Sequence, residues 1–365
     1  MTDEKDIILV SGIKSGEICQ YTKPGILNAG CPFVVTDRDG VLYRKYGQKL
    51  KNRGYSVKQV DFTGVIDPRA GIAMDPPAVI CKKYRAFLKG YGHEDEVPDG
   101  FVIEEERGYD PFDHIREDRD IEILAGIIAE SAFAGSPLKE AGMALLTALI
   151  AYLYDYTITS EQTFYNVIRL LKAGIRDADD ADRETVLDLL FGEVKKYEED
   201  SFACINYGKY KEKAPLGVRE DTIISCLAGL QVFAGKDFRL MMKADSFSLE
   251  DMKNGLSALF VILPSEDRSC DLIAAILYAQ LFEALDRDQQ PENGRAGKDS
   301  CGPRMLIMPD EFTNIAKIPD IGEKLRRLGD RGISVAITVQ AARAWRYARR
   351  PDWKEITEAF SKSGA

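Results

Sequence analysis

Short apolar runs alternate with polar segments near the start of the chain, at a spacing typical of strands joined by helices. The runs lie at residues 7–10, 33–36 and 56–60. The first two are almost entirely apolar, rather than apolar at every second position, as is typical of parallel strands with both sheet faces covered. The pattern therefore predicts parallel βαβ units in this section.

The middle of the chain, from about residue 116 to residue 236, has apolar positions at helical spacing and no convincing strand. In its most apolar segment, Leu138, Leu145, Leu149 and Leu153 share one helical face. The apolar run there is shorter than the roughly 20 residues that a membrane span needs, which predicts a buried helix. The predicted helices are 121–133, 138–156, 162–173, 183–198 and 221–233, with breaks at 135–137, 174 and 214–217.

Strand-like runs return in the last third of the chain, at residues 258–263, 304–308 and 333–339. A helix is predicted at 272–286 and a polar loop at 289–302. Together these patterns predict an α/β sheet domain interrupted by an all-helical insertion. The predicted boundaries are 1–115 for the first part of the sheet domain, 116–240 for the insertion and 241–365 for the second part.

The charge is unevenly distributed along the chain. The 49 Lys and Arg and 59 Asp and Glu give a net charge of −10, which excludes a wholly basic nucleic-acid coat protein. Residues 94–122 carry 13 acids and 3 bases, whereas residues 322–354 carry 9 bases and 3 acids. The overall acidity therefore does not exclude an anionic partner at the second segment. We interpret the acidic segment as a solvated loop, with a docking surface for a basic protein as the alternative.

Cysteine usage and the first residues favour a reducing compartment. The seven cysteines are scattered and contain no CxxC pair, so neither a disulfide framework nor a zinc site is predicted. The polar start of the chain leads directly into the run at 7–10 and has no pattern of a secretory signal. We therefore expect a cytoplasmic location.

The segment after the first apolar run, residues 11–18, is a candidate phosphate-binding loop. Such a loop follows a strand, and its backbone N–H groups hold phosphates at a helix N-terminus. In the consensus G-x-x-x-x-G-K-[ST], the Lys contacts phosphate and the hydroxyl binds Mg²⁺. Here Ser11 takes the first Gly position and Gly16 keeps the second, but Glu17 and Ile18 replace the Lys and the Ser/Thr. A plain glycine-rich turn is the alternative.

Two later strand ends add to this pattern. The apolar run that reaches Pro309 is followed directly by Asp310 and Glu311. This is the arrangement of an acid that holds Mg²⁺ and an acid that orients water. The run at 334–339 ends in Gln340, the position of a γ-phosphate sensor in a RecA-like sheet. Solvated polar residues at strand ends are the alternative for both, but the order of loop, acidic strand and glutamine strand is that of an ATPase.

With these motifs the chain resembles the nucleotide-binding region of type IV secretion coupling proteins, the TraG-like conjugal DNA-transfer ATPases. The resemblance spans nearly the whole chain, and its motifs occur in the family's order. They are 34–37 with Gly40, 109–112, Phe202-Ala203 with Tyr207 and Tyr210, 258–262, 277–282, 310–315, 318–320, 331–335 and Gln340.

The resemblance implies a RecA-like P-loop NTPase sheet domain with an all-alpha insertion, in a homo-hexameric ring on the cytoplasmic face of the membrane. Such a ring receives a relaxase bound to single-stranded DNA and passes the DNA to the secretion channel at the inner membrane. It implies ATP and Mg²⁺ as cofactors. By position, Asp310 matches the metal-binding acid, and Glu311 and Gln340 match the catalytic pair. The loop residues implied to bind nucleotide are Gly12, Lys14, Ser15, Gly16, Glu17 and Ile18.

The chain departs from this family in three ways. It begins almost at the loop, without the family's membrane helices, and it stops at Ala365 before the family's further strands, so we expect a fragment or the product of a truncated gene. The third departure is the loop itself. Near a surface, two unit charges about 4 Å apart interact by about 4 kcal/mol, so Glu17 in place of Lys turns attraction into repulsion.

We therefore hypothesise that the chain does not hydrolyse ATP at a useful rate, unless Lys14 or Glu17 itself rescues binding. Three functions follow as alternatives: a DNA-pumping motor, a non-hydrolysing docking module of the same system, and a DNA translocase of the wider RecA-like group. The motifs at 310–315 and 318–320 argue against the third.

Arginines and aromatic residues are interleaved near the end of the sequence. Arg331, Arg343 and Arg346 lie near Trp345 and Tyr347. Cations suit a nucleic-acid backbone and rings suit its bases, so this segment is a candidate contact with single-stranded DNA. Contact with a neighbouring subunit's phosphate and a solvated helix face are the alternatives.

Overall fold

A six-stranded sheet organises the first of the two units into which the chain divides. In the computed structural model, one unit comprises Met1–Tyr109 and Ala244–Ala365, and the other comprises Asp110–Lys243. The structure describes residues 6–11, 26, 30–63, 108–175, 184–235, 248–253, 255–265, 268–287, 305–309 and 318–340.

Five of the six strands run parallel to one another. The strands are β1 (Asp6–Ser11), β2 (Phe33–Arg38), β3 (Ser56–Asp61), β4 (Ser257–Leu263), β5 (Met305–Met308) and β6 (Ile333–Gln340). Their order in the sheet is β1-β6-β5-β2-β4-β3. The pairs β2–β4, β2–β5, β3–β4 and β5–β6 are all parallel. The predicted α/β class is therefore confirmed.

The prediction of a parallel first strand is wrong. β1 pairs with β6 in the antiparallel direction, from Asp6 opposite Gln340 to Ser11 opposite Val335. An edge strand has one neighbour, so no second ladder fixes its direction. The chain between Ser11 and Phe33 is longer than the dozen residues that a parallel crossover needs, so either direction is sterically available. An apolar run predicts a strand but not its direction.

Helices cover the sheet. They are α1 (Val41–Lys51) and, later in the chain, two further helices, Asp271–Arg287 and Ile321–Asp330. A buried cluster joins β2, β4 and α1, with Phe33, Phe260 and Tyr46 among its members.

Short 3₁₀ turns lie at Pro111–His114, Thr159–Glu161, Gln231–Ala234 and Glu250–Lys253.

The second unit is helical throughout its described residues. Its helices are α2 (Asp118–Ala132), α3 (Lys139–Tyr156), α4 (Phe164–Ala173), α5 (Val186–Tyr197), α6 (Phe202–Lys213) and α7 (Leu216–Gly229). The two later helices of the sheet unit are therefore α8 (Asp271–Arg287) and α9 (Ile321–Asp330). Within the described residues, no helix is both long enough and apolar enough to cross a membrane.

The structure contains two helices that the sequence pattern did not predict, α6 and α9. The buried residues of α6 are Ala203, Asn206, Tyr207 and Tyr210, so its inner face mixes small, polar and aromatic side chains. α9 buries Ile321, Leu325 and Leu328 between charged residues, in a segment of only 10 residues. α7 begins earlier than predicted, at Leu216, because Pro215 occupies the N-cap position, where its missing N–H costs nothing.

A carboxylate in the second unit joins α5 to α6. Asp188 accepts hydrogen bonds from the Tyr207 hydroxyl at 3.0 Å and from Lys211 Nζ at 2.8 Å. It also accepts from the backbone N–H of Thr185 at 3.2 Å, completing a capping box at the start of α5. Beside it, the Phe191 and Tyr207 rings stack with centroids 4.1 Å apart. Burial alone would raise the pKa of Asp188, but the bonds from Lys211 and Thr185 outweigh it and lower the pKa to about 2.

We expect Asp188→Asn to destabilise the protein at neutral pH. A pKa below that of the unfolded chain means that the ionised carboxylate stabilises the fold above about pH 4, and that this contribution is lost as the pH falls through about 2. After allowance for solvent screening, the expected loss at pH 7 is about 1–2 kcal/mol. Urea unfolding at pH 7 and pH 3 measures it.

The matched control is Glu193→Gln, which removes an exposed ion pair with Lys196 on the same helix. It should change the free energy of unfolding by less than about 0.5 kcal/mol. An Asp188→Asn effect of equal size at both pH values would contradict the electrostatic account.

Candidate functional site

The carboxyl ends of the parallel strands form the candidate site. From β2 the chain passes through α1 to β3, on one side, and from β5 it passes through α9 to β6, on the other side. β2 and β5 are hydrogen-bonded neighbours, with Val35 opposite Met308. In open α/β sheets, ligands bind outside the carboxyl ends of two strands whose connections diverge in this way. The crevice at the ends of β2 and β5 is therefore the candidate binding position.

Asp37 caps the N-terminus of α1, which begins just after the carboxyl end of β2. Its carboxylate is only 1% exposed and accepts hydrogen bonds from the backbone N–H groups of Leu42, at 2.9 Å, and Tyr43, at 2.7 Å. These are first-turn donors of α1, which has no side-chain cap from Gly40. Since the carboxylate already takes these amides and the positive end of the helix dipole, this terminus does not offer them to an external anion.

The turn after β2 is tied to the end of β4. Asp39 and Gly40 both have left-handed backbones, with φ of 55° and 67°. The Asp39 carboxylate accepts hydrogen bonds from the backbone N–H of Ser265, at 2.9 Å, and from the Ser265 hydroxyl. These bonds, the hydroxyl first, hold the pKa of Asp39 below its ordinary value. Gly40 suits its position because most side chains avoid positive φ.

Arg38 joins β2 to the helical layer on the other face. Side chains alternate along a strand, so Asp37 faces α1 while Arg38 faces α8. Arg38 donates to the carbonyl of Pro264 at 3.1 Å and to Asp271 Oδ1 at 3.0 Å. Arg268 approaches the other oxygen of Asp271, at 3.5 Å. The Arg38 guanidinium therefore connects the end of β2 both to the residue that follows β4 and to the start of α8.

Most of the residues predicted to act on nucleotide lie outside the described residues. These are Gly12, Lys14, Ser15, Gly16, Glu17, Ile18, Asp310 and Glu311. Arg343 and Arg346 lie outside them as well. Two predicted residues are described: Gln340, the last residue of β6, and Arg331, which follows α9. Among the described residues, no group of three His, Cys, Asp or Glu side chains could hold a metal ion.

Arg331 belongs to an ion network between α8 and α9. Its guanidinium lies 3.0 Å from Asp286 Oδ1 and donates to the carbonyl of Leu285 at 3.3 Å. Arg327 reaches the other oxygen of Asp286, at 3.2 Å. One turn earlier, Lys324 pairs with Glu283, and both side chains are almost fully buried, at 3% and 6% exposure. The guanidinium predicted to contact DNA or a neighbouring subunit is thus engaged within its own chain.

Reasoning from the sequence missed most of the described site. Asp37 and Gly40 lay within a motif of the resemblance, but no role was predicted for either. Arg38, Asp39 and their partners Ser265 and Asp271 had no signal, because more than 200 residues separate the two halves of each contact. Only the pairing of β2 with β4 brings them together.

Comparison with known proteins identifies similar chains. The family model described as "Type IV secretory system Conjugative DNA transfer" matches residues 100–348. Among solved structures, the plasmid coupling protein TrwB in complex with the ATP analogue ADPNP matches with a TM-score of 0.55 and 13% identity. That match covers 95% of this chain and 67% of the other. TrwB in complex with the GTP analogue GDPNP matches with a TM-score of 0.50 and 14% identity, over 99% and 79% of the two chains.

At these identities the structural likeness shows the fold alone, and it confirms a RecA-like sheet with a helical insertion. No curated protein sequence matches the chain.

We expect Asp37→Ala to destabilise the sheet unit strongly. The substitution removes a helix cap, worth about 0.5–2 kcal/mol, and leaves amides without their partner in a buried position. A loss of about 2–3 kcal/mol in urea unfolding is expected, with faster hydrogen exchange at the Leu42 and Tyr43 amides.

Asp39→Asn is the matched control, because Asp39 is an exposed residue two positions away, and Asn tolerates its left-handed backbone and keeps an acceptor for Ser265. Its loss should stay below about 1 kcal/mol. Equal effects of the two substitutions would show that capping by Asp37 is not what stabilises this edge.

Proposed function

Because the chain belongs to the type IV secretory system conjugative DNA-transfer family, we propose that it acts as a coupling protein in conjugation. It receives a relaxase bound to single-stranded DNA and directs the DNA to the secretion channel at the inner membrane. The observation that carries this proposal is the family match over residues 100–348, which spans the helical unit and continues through β4, β5 and β6.

The proposal assigns a part to each section of the chain. Residues 1–115 and 241–365 form the two parts of the nucleotide-binding domain, and residues 116–240 form the all-alpha insertion. The full-length protein would work as a homo-hexamer on the cytoplasmic face of the membrane. The division of the chain at Tyr109 and Ala244 supports the view that one domain is inserted into another.

Two groups at the described edge of the sheet are already paired and are not offered to a nucleoside triphosphate. The first-turn amides of α1 are taken by Asp37, and Arg38 is paired with Asp271. Phosphate contacts would have to come from the loop residues Gly12, Lys14, Ser15 and Gly16. In this proposal Asp310 is the Mg²⁺ ligand, and Glu311 and Gln340 are the residues that face the γ-phosphate.

One observation favours a second candidate, a docking module that does not hydrolyse ATP. Glu17 and Ile18 stand where the phosphate-contacting Lys and the Mg²⁺-binding hydroxyl are needed. A lost attraction of several kcal/mol corresponds to a loss of more than a hundredfold in affinity, since about 1.4 kcal/mol is tenfold. Under this candidate the protein recruits the relaxase–DNA complex without turning over nucleotide.

We expect the native chain to give no MgATP binding signal in titration calorimetry, and a Glu17→Lys/Ile18→Thr variant to bind in the micromolar range. The variant restores a cation for phosphate and a hydroxyl for Mg²⁺ without touching the rest of the fold. That pair of results identifies a disabled nucleotide site.

Micromolar binding by the native chain would instead contradict the argument from the lost lysine. Adding Lys14→Ala then tests whether Lys14 supplies the missing cation. If neither protein binds, residues 12–18 are a plain turn and the assignment of a nucleotide site fails.

We also expect Arg343→Ala/Arg346→Ala to weaken binding to single-stranded DNA by about tenfold at low salt. Each contact with phosphate that is lost should reduce the dependence of log affinity on log salt by about 0.7, so the double variant should lose about 1.4. Fluorescence anisotropy with an oligonucleotide at several salt concentrations measures both quantities.

Arg331→Ala is the control, because this arginine already pairs with Asp286. It should lower the melting temperature and leave DNA affinity within about twofold. A large loss of DNA affinity in Arg331→Ala, with none in the double variant, would place the DNA contact at α9 instead.

A further inference from the structure

Helix α1 exposes a face that carries positive charge and no negative charge. Residues 40–60, which contain the helix and nearly all of β3, include six Lys or Arg and no Asp or Glu. The chain as a whole has the opposite balance, with 59 acids against 49 bases. Five of the six bases lie in the helix or directly after it, and all five are exposed: Arg44, Lys45, Lys49, Lys51 and Arg53.

The packing of α1 against the sheet determines where these charges lie. The apolar side of the helix is buried in the cluster that it shares with β2 and β4. On the opposite side, the amide of Gln48 donates to Asn52 Oδ1 at 3.0 Å. With about 3.6 residues per turn, two bases flank this amide pair on each side: Arg44 and Lys51 on one side, and Lys45 and Lys49 on the other. These four bases form what we call the basic face of α1.

The basic face of α1 has no acids to neutralise it, unlike several exposed lysines of the helical unit. Within the described residues, no salt bridge involves any of its four cations. Three exposed lysines of the helical unit do pair with acids: Lys195 with Glu199, Lys196 with Glu193 and Lys213 with Glu140. Like charges four residues apart on a helix repel one another, as Lys45 and Lys49 do, so this face is suited to an external anion.

A nucleic-acid backbone fits the basic face of α1 better than a membrane does. An interfacial helix buries its apolar face in lipid, whereas that face of α1 is already buried against the sheet. The helix, which is described in full, exposes one large apolar side chain, Val41. It exposes no ring for stacking on bases, since Tyr46 is buried and Tyr43 packs against Phe260. The contact it can offer is therefore with phosphates, which carry no sequence information.

We propose that the basic face of α1 binds the phosphate backbone of single-stranded DNA, without preference for base sequence. This inference rests on the proposed function, in which the chain handles single-stranded DNA. It names a DNA contact that is separate from Arg343 and Arg346 and that lies on a helix of the sheet unit.

Removing the charge of three lysines tests the inference. Lys45→Gln/Lys49→Gln/Lys51→Gln keeps long side chains, and Gln and Lys are similar helix formers. Arg44 is left unchanged because it also acts on Asp39, whose pKa is lowered mainly by the bonds from Ser265 and further by the nearby arginines. Binding to a fluorescein-labelled oligo(dT) strand is measured by anisotropy at several salt concentrations.

We expect the triple variant to bind the strand more than about tenfold more weakly than the native chain at about 50 mM salt. Each lost phosphate contact should reduce the dependence of log affinity on log salt by about 0.7, so the variant should lose about 2. Lys45 also lies 5.2 Å from the centre of the Tyr46 ring, so the melting temperature is measured as well. If the triple variant is unstable, Lys49→Gln/Lys51→Gln keeps that contact and should lose about 1.4.

The matched control is Lys195→Gln/Lys196→Gln/Lys213→Gln. It changes the net charge of the chain by the same amount, at exposed lysines that already pair with acids. It should leave the salt dependence unchanged and the DNA affinity within about twofold of the native value.

Equal affinity and salt dependence of the native chain and the α1 variants would overturn the DNA contact at α1, while their binding to DNA would leave the proposed function in place. An equal loss in the control would overturn it too, because net charge would then be the cause. Reduced binding of the α1 variants to vesicles of phosphatidylcholine and phosphatidylserine, with unchanged DNA affinity, would assign the face to a membrane. If the native chain does not bind the strand, the proposed function loses its DNA contact and the inference fails with it.

Discussion

Helix α8 imposes the strictest constraint in the sheet unit, because nearly all of its residues are buried. Thirteen consecutive residues, from Ile273 to Leu285, are buried, and four of the buried positions on the helix are polar or charged. A polar group without a partner in such a place costs about 1–3 kcal/mol, so each needs a partner from a neighbouring element. The four are Asp271, Tyr278, Gln280 and Glu283.

These partners connect α8 to the rest of the unit. Asp271 binds Arg38 at the end of β2, and Tyr278 shares a hydrogen bond of 2.8 Å with Thr36 in the same strand. Gln280 accepts from Tyr109, the last residue before the helical unit begins. Glu283 pairs with Lys324 of α9. The helix thus sets the position of the central strand, of α9 and of the residue from which the insertion departs.

The buried Glu283–Lys324 pair is better evidence of specificity than of stability. Removing two charges from water costs several kcal/mol per ion, and a well-packed apolar pair is often as stable. What the pair does impose is a register between α8 and α9, since a shift of either helix would leave a buried charge alone. The Asp286 contacts with Arg327 and Arg331, one turn further along, impose the same register.

The fold could be predicted from the sequence only where local apolar patterns determine it, and not where it depends on contacts between distant residues. Apolar runs predicted β2, β4 and β5, because a strand that is buried on both faces of the sheet is apolar at nearly every position. Helix α6 was not predicted, because its buried positions include Ala203 and Asn206, which do not form a periodic pattern of large apolar residues. Contacts such as that between Asp39 and Ser265 could not be predicted from the sequence, because they form only when β2 pairs with β4. The sequence showed that Arg331 is a cation near aromatic residues. It could not show that Asp286 is its partner, because that contact forms only when α8 packs against α9.

Two independent features bear on nucleotide chemistry at this sheet. Glu17 would oppose phosphate through its charge, and Asp37 occupies the first-turn amides of α1 at the crevice. Charge and hydrogen-bond saturation are unrelated causes, so each bears on nucleotide affinity separately. In contrast, each of the four buried polar side chains of α8 has a partner on a neighbouring element. The partners of α8 therefore hold the sheet unit together through contacts within the unit itself.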